Sequence, residues 1–195
     1  MRTKVLLGCA VVLMLVVSVV TIGSNMGFKI SIPLTAGYSN YVSLPYYNSY
    51  ADATAMFNDI TGASVVSRWN NATPIWENWT GARGTNFAVT AGEAYVVQVS
   101  ATTNWIVVGS HNPGLAVTMT VNYSNYISVP YHTTATNAST LFTQIPSASV
   151  ISRWNNATPI WENWTGARGT NFALTVGEGY VAQVSATGTW PPAHY

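Results

Sequence analysis

One run of 22 residues occurs twice in this chain, 85 positions apart, without a single change. Ser67–Ala88 reads S-R-W-N-N-A-T-P-I-W-E-N-W-T-G-A-R-G-T-N-F-A, and Ser152–Ala173 repeats it. The match extends to both sides: Tyr38-Ser39-Asn40-Tyr41 recurs as Tyr123-Ser124-Asn125-Tyr126, and Gly92-Glu93-Ala94-Tyr95 as Gly177-Glu178-Gly179-Tyr180. Any fold must therefore serve two copies of one unit.

Where the copies differ, they show which positions matter for packing. Asp52 and Asn137 are good N-caps. After them Ala53, Met56, Phe57 and Ile60 are matched by Ala138, Leu141, Phe142 and Ile145, the i, i+3, i+4, i+7 stripe of a short amphipathic helix. Phe57 and Phe142 are expected in the core. Elsewhere the period is two. Val42, Leu44 and Tyr46 alternate with other residues, as do Ile127, Val129 and Tyr131; Tyr95, Val97 and Val99 share one strand face. Ile30, Ile32 and Leu34 alternate with Ser31 and Pro33, and the proline argues for an edge strand. Each copy reads as strand, strand, short helix, then four or five strands. The fold class expected is mainly β: two tandem β-sandwich-like modules of about 85 residues, each with one short helix. The boundaries are 1–18 for a signal segment, 19–29 for an N-terminal extension, 30–114 for module one and 115–195 for module two.

Leu44-Pro45-Tyr46, the central Trp pair and G-E-x-Y-x-V at Gly92–Val97 resemble the repeat modules of uncharacterised bacterial and archaeal secreted surface or extracellular-filament proteins. The resemblance implies an extracellular location and no catalytic activity.

The N-terminus points to the same compartment. Arg2 and Lys4 precede an apolar run from Val5 to Val20, the order of a secretory signal. The run is also long enough for a transmembrane helix, but the alternating β sequence after it favours cleavage, after Ser18 or as late as Gly23. Contact with the membrane is then expected only through this segment, before cleavage. Leu6-Leu7-Gly8-Cys9 has the look of a lipobox, yet its apolar stretch follows rather than precedes. Cys9 is the only cysteine, so no disulfide framework exists and packing must stabilise the modules. The 8 Trp, 11 Tyr and 5 Phe supply the material. Charged residues are only 7% of the chain against about 25% in ordinary soluble domains. Beyond Ser18 the basic residues are Lys29, Arg68, Arg83, Arg153 and Arg168, too few and too scattered for a nucleic-acid surface.

No catalytic constellation is legible. His111, His132 and His194 stand at unrelated repeat positions, with no metal-ligand spacing. There is no phosphate loop and no calcium loop, so no cofactor or metal is expected. Glu77 with Glu93, and Glu162 with Glu178, could form the paired carboxylates of a glycosidase. The simpler expectation is that they pair with Arg68 or Arg83, and with Arg153 or Arg168. The indoles are the stronger binding candidates. Trp76 and Trp79, like Trp161 and Trp164, lie three apart and must face opposite sides of a strand. An exposed one can stack on a sugar ring or be buried against a neighbouring subunit. Trp69 and Trp154 share a strand face with Val65 and Val150, which suggests core. N-x-S/T sequons place candidate glycans at Asn71, Asn78, Asn122, Asn137, Asn156 and Asn163.

The end of copy two suggests how subunits join. Trp105-Ile106-Val107-Val108 closes copy one, whereas Trp190 is followed by Pro191-Pro192-Ala193-His194-Tyr195. Proline has no amide donor, so copy two is expected to lack its final strand and to present an open groove. Val19, Val20, Thr21 and Ile22, with Gly23-Ser24-Asn25-Met26-Gly27, resemble Ile106–Gly114. They are candidate donors to the groove beside Trp190 in the next copy of the chain. The function expected is a structural subunit of an extracellular filament or surface layer, polymerising head to tail. The alternative is a secreted carbohydrate-binding or adhesive protein using its exposed Trp residues.

Overall fold

The computed structural model describes residues 27–194, and two equivalent mainly β modules make up this body. Module one contains β1 (Gly27–Leu34), β2 (Asn40–Ser43), α1 (Ala53–Asp59), β3 (Ala63–Asn70), β4 (Ile75–Trp79), β5 (Ala94–Val99) and β6 (Thr103–Ser110). Module two repeats the order with β7 (Val117–Met119), β8 (Asn125–Ser128), α2 (Ala138–Gln144), β9 (Ala148–Asn155), β10 (Ile160–Trp164), β11 (Gly179–Val184) and β12 (Gly188–Trp190). Each module has a four-stranded antiparallel sheet, ordered β2-β5-β3-β4 or β8-β11-β9-β10, and a two-stranded ribbon, β1-β6 or β7-β12. Pro33 lies on β1, which pairs only with β6 and leaves its other edge free.

Both helices start as their caps dictate. Asp52 accepts from the Ala55 amide, and Asn137 from that of Thr140, whose hydroxyl completes a capping box. Met56 and Leu141 point into the module cores and are fully buried beside Ile60 and Ile145. The core of module one joins Leu34, Val42, Leu44, Tyr46, Val66, Tyr95 and Trp105; Met119, Ile127, Ile151, Tyr180 and Trp190 hold matching places in module two.

Three expectations need correction. Phe57 and Phe142 are only partly buried, because the rings lie over the glycine loop at Gly81 and Gly166 at the rim of each core. Trp69 and Trp154 are not core residues. On β3, Val66 is the inward residue, while Val65 and Trp69 occupy the outer face after a bulge between Ala63 and Val65. Copy two also keeps part of its final strand. β12 pairs with β7 over three residues, against eight for β1 and β6. Past Trp190, the chain's own tail runs where β6 continues in copy one: Pro192 is buried and Ala193 accepts from the Thr134 amide at 3.1 Å. The groove expected there is thus partly filled. The candidate donor residues Val19–Ile22 lie outside the described residues.

Met56→Ala and Leu141→Ala should each cost about 2–5 kcal/mol in chemical denaturation, as buried aliphatic truncations do. Phe57→Ala should cost less than Met56→Ala, and the reverse order would put the ring inside the core.

Candidate functional site

The modules meet along a seam with internal two-fold character. The free edge of β2 reaches across: the Ser43 amide donates to Gly177 O at 2.8 Å, and Val42 bridges Glu178. Its mirror is the Ser128 amide donating to Gly92 O at 2.9 Å, with Ile127 bridging Glu93. Close approach needs small residues. Gly92 and Gly177 both adopt a φ of 91°, and side chains there would strike Val117 and Ile32 of the opposite module. A Cβ at Gly179 would lie 2.9 Å from that of Ala94, its own counterpart.

Aromatic side chains from the outer sheet faces run along the seam. Tyr41 and Tyr126 stack with centroids 6.3 Å apart and planes 12° from parallel. Trp161 meets Tyr41 edge-on at 5.1 Å, and Trp76 meets Tyr126 in the same way at 5.1 Å. Trp69 and Trp154 close the row against Trp76 and Trp161. Trp76 and Trp161 stay 37% and 38% exposed, while Trp79 and Trp164 turn inward to the module cores. The three-residue spacing separates the faces as expected, and Trp76 and Trp161 pack partly against the sister module.

Beside the row lie two matching clefts of about 380 and 350 Å³. The first has Arg68, Trp69, Asn71 and Glu93 on one wall and Asn125 and Tyr126 of module two on the other. The second has Arg153, Trp154, Asn156 and Glu178 facing Asn40 and Tyr41. Each residue corresponds to its partner at the 85-residue offset. Asn40 and Asn125 pin the turns that form the second wall: each buried carboxamide bonds three backbone carbonyls and one amide. Each also accepts from the asparagine opposite, Asn156 at 3.4 Å and Asn71 at 3.2 Å.

The carboxylates of a copy have different surroundings. Arg68 Nε donates to Glu77 at 2.6 Å and stacks over the Phe87 ring at 5.2 Å, and Arg153 does the same with Glu162 and Phe172. Burial pushes the Glu77 carboxyl up, but bonds from Arg68 and Asn70 outweigh it and hold the group below its ordinary value of 4.5. Bonds from Arg153 and Asn155 lower Glu162 likewise. Burial pushes Glu93 and Glu178 above 4.5, opposed by the Tyr95 or Tyr180 hydroxyl and the arginine. Only Glu93 and Glu178 line the clefts; Glu77 and Glu162 do not. The pairing of Glu77 with Arg68 follows the simpler expectation from sequence.

The remaining sites scatter. Asn78, Asn122 and Asn163 are exposed, Asn137 caps α2, and Asn71 and Asn156 sit in the seam. His111 and His194 lie near each other, and His132 packs edge-on against Phe28 and Tyr131. Among the described residues no group of His, Cys, Asp or Glu could hold a metal ion, and no helix is long and apolar enough to cross a membrane. Sequence reasoning missed the seam asparagines; their presence in the repeated Y-S-N-Y run was the available signal. No family model, curated protein or solved structure matches the chain.

The opposed shifts predict a pH signature. For Glu93 and Glu178 the folded state holds the proton more tightly than the unfolded chain, so their ionisation lowers stability as pH rises from 4.5 through the folded value. Glu77 and Glu162 contribute stability above 4.5 that is lost as pH falls. The Glu93→Gln/Glu178→Gln variant should lose less thermal stability than the parent between that point and neutrality. Glu77→Gln should instead destabilise the protein at neutral pH.

Proposed function

We propose that the chain is a non-catalytic subunit of an extracellular filament or surface layer, secreted through its N-terminal segment and joined head to tail to other copies of itself. The observation that carries this reading is the unequal length of the two ribbons. Near-identical modules differ most where β6 pairs along eight residues and β12 along three. Pro191 and Pro192 stand where copy one has Ile106 and Val107, and neither can donate to a ladder. The tail beyond them is held by contacts at Thr133 and Thr134, a light attachment for a core-covering segment. An extended strand with full hydrogen-bonding capacity can displace it and gain the ladder that the prolines forgo.

Copy one supplies a surface that copy two lacks. Ile106 and Val108 face outward from β6 at 43% and 59% exposure, where copy two has Pro191 and Ala193. Unequal ends give a heterologous contact, which propagates as an open polymer rather than closing as a dimer. The donor in this scheme is Val19–Ile22 of the neighbouring subunit. A non-catalytic role agrees with the clefts: a two-carboxylate hydrolysis needs both acids at the scissile bond, and each cleft wall offers one.

Electron microscopy of the secreted protein should show filaments or sheets, and mass spectrometry should place the mature N-terminus at Val19. Deleting Val19–Gly23 should leave soluble monomers. Pro191→Ile with Pro192→Val should let the chain's own tail extend β12 and suppress assembly. A mature start at Ser24 or later, or assembly unaffected by both changes, would overturn the scheme.

A further inference from the structure

The twin clefts contain polar atoms that the protein leaves unsatisfied. In the first, Trp69 Nε1 and Asn71 Oδ1 are buried without a hydrogen-bond partner among the described residues; in the second, Trp154 Nε1 and Asn156 Oδ1 match them. A buried donor or acceptor without a partner costs about 1–3 kcal/mol. The local network fixes the orientation of Asn71. Asn125 Oδ1 already accepts from the Thr120 amide at 2.8 Å, and its Nδ2 is committed to three carbonyls. Asn71 must therefore turn its NH2 toward Asn125, which leaves its oxygen unpaired. Asn40 imposes the same choice on Asn156.

The other groups in each cleft narrow the ligand. An indole N–H is a donor only, a carboxamide oxygen an acceptor, and Glu93 adds carboxylate oxygens on the same wall. Trp69 and Tyr126 contribute aromatic surface. Arg68 is occupied by Glu77, so the cleft has no spare cation for a phosphate or carboxylate ligand. Hydroxyls that both donate and accept, carried on a ring with an apolar C–H face, complement this set. We propose that the two clefts are twin binding sites for a neutral sugar, each receiving a pyranose unit of a glycan chain. Their volumes lie at the lower end of the usual ligand range of about 300–1,000 Å³, which suits a short saccharide. The clefts are not identical: Thr118 on the wall of the first is replaced by Pro33 in the second, so the first has one more hydroxyl.

This proposal does not depend on polymerisation, which microscopy reads separately. The test is isothermal titration of the full secreted protein with cellotetraose, chitotetraose and mannotetraose. At least one of the three should bind, saturating at two per chain, one for each cleft. Trp69→Phe keeps an aromatic ring and removes the N–H, so the stoichiometry should fall to one. Trp69→Phe with Trp154→Phe should abolish binding, with an unchanged circular dichroism spectrum and no loss of thermal stability, since each change removes an unpaired buried donor. No heat with any of the three sugars, a single site per chain in the parent, or undiminished binding by the double variant would overturn it.

Discussion

The reciprocal pairing across the seam sets the geometry of everything else. β2 and β8 are edge strands of their own sheets, and an uncovered edge invites association with other chains. Here each edge is capped by the residues that lead into the sister module's fifth or eleventh strand, Gly177–Glu178 or Gly92–Glu93. That arrangement requires a main-chain approach close enough to exclude side chains at Gly92, Gly177 and Gly179. It also brings the outer sheet faces together, so Val96 and Val181 are buried on surfaces that a lone module would expose. The Tyr41–Tyr126 stack fills the centre, and the clefts are the space left on either side of it.

Within that symmetric frame the copies are not equally well satisfied. In module one, Trp105 Nε1 donates to Asp59 at 2.8 Å, and the Tyr50 hydroxyl donates to the same carboxylate at 2.6 Å. Gln144 and Ala135 occupy the corresponding positions in module two. There Trp190 Nε1 and Gln144 Oε1 are both buried without partners among the described residues. The shorter ribbon lies against the same tryptophan. Two independent deficits thus fall at one end of the molecule, and local opening concentrates where ladders are short and polar groups are unpaired. The β7–β12 end is the part of the fold most ready to exchange its strand.

Much of the module was legible from residue order, and the losses have identifiable physical causes. Asp52 and Asn137 announced the helices, and the alternation through Val42, Leu44 and Tyr46 announced an inward face. The outer face was harder to assign. Val65 and Val66 are both apolar, so period two cannot choose between them, and a bulge at Ala63–Val65 shifts the register just before Trp69. Trp69 therefore read as core when it borders a cleft. The seam was invisible for a different reason. Its defining residues are backbone groups, glycines and an asparagine whose partner lies 54 positions away at Asn71, and no local pattern encodes that distance. Glu77 paired with Arg68 as opposite charges on facing strands do, a short-range relation that sequence conveys well.

The seam and the ribbons impose different symmetries, and a polymer would combine them. Two-fold pairing places the clefts in equivalent settings on one body, so whatever enters one can enter the other. The ribbons make the ends unequal, which gives the body a direction. A chain of such bodies would carry its saccharide sites in pairs at every step, with spacing set by the rigid seam rather than by a linker. Weak individual contacts would then act together, because each bound site raises the effective concentration of the glycan at the next. The balance between strength and reversibility would rest on the cleft atoms: one indole N–H, one carboxamide oxygen and one partly desolvated carboxylate per site. Neutral hydrogen bonds of that kind contribute modestly one at a time, and a repeating array is the arrangement in which modest contributions are enough.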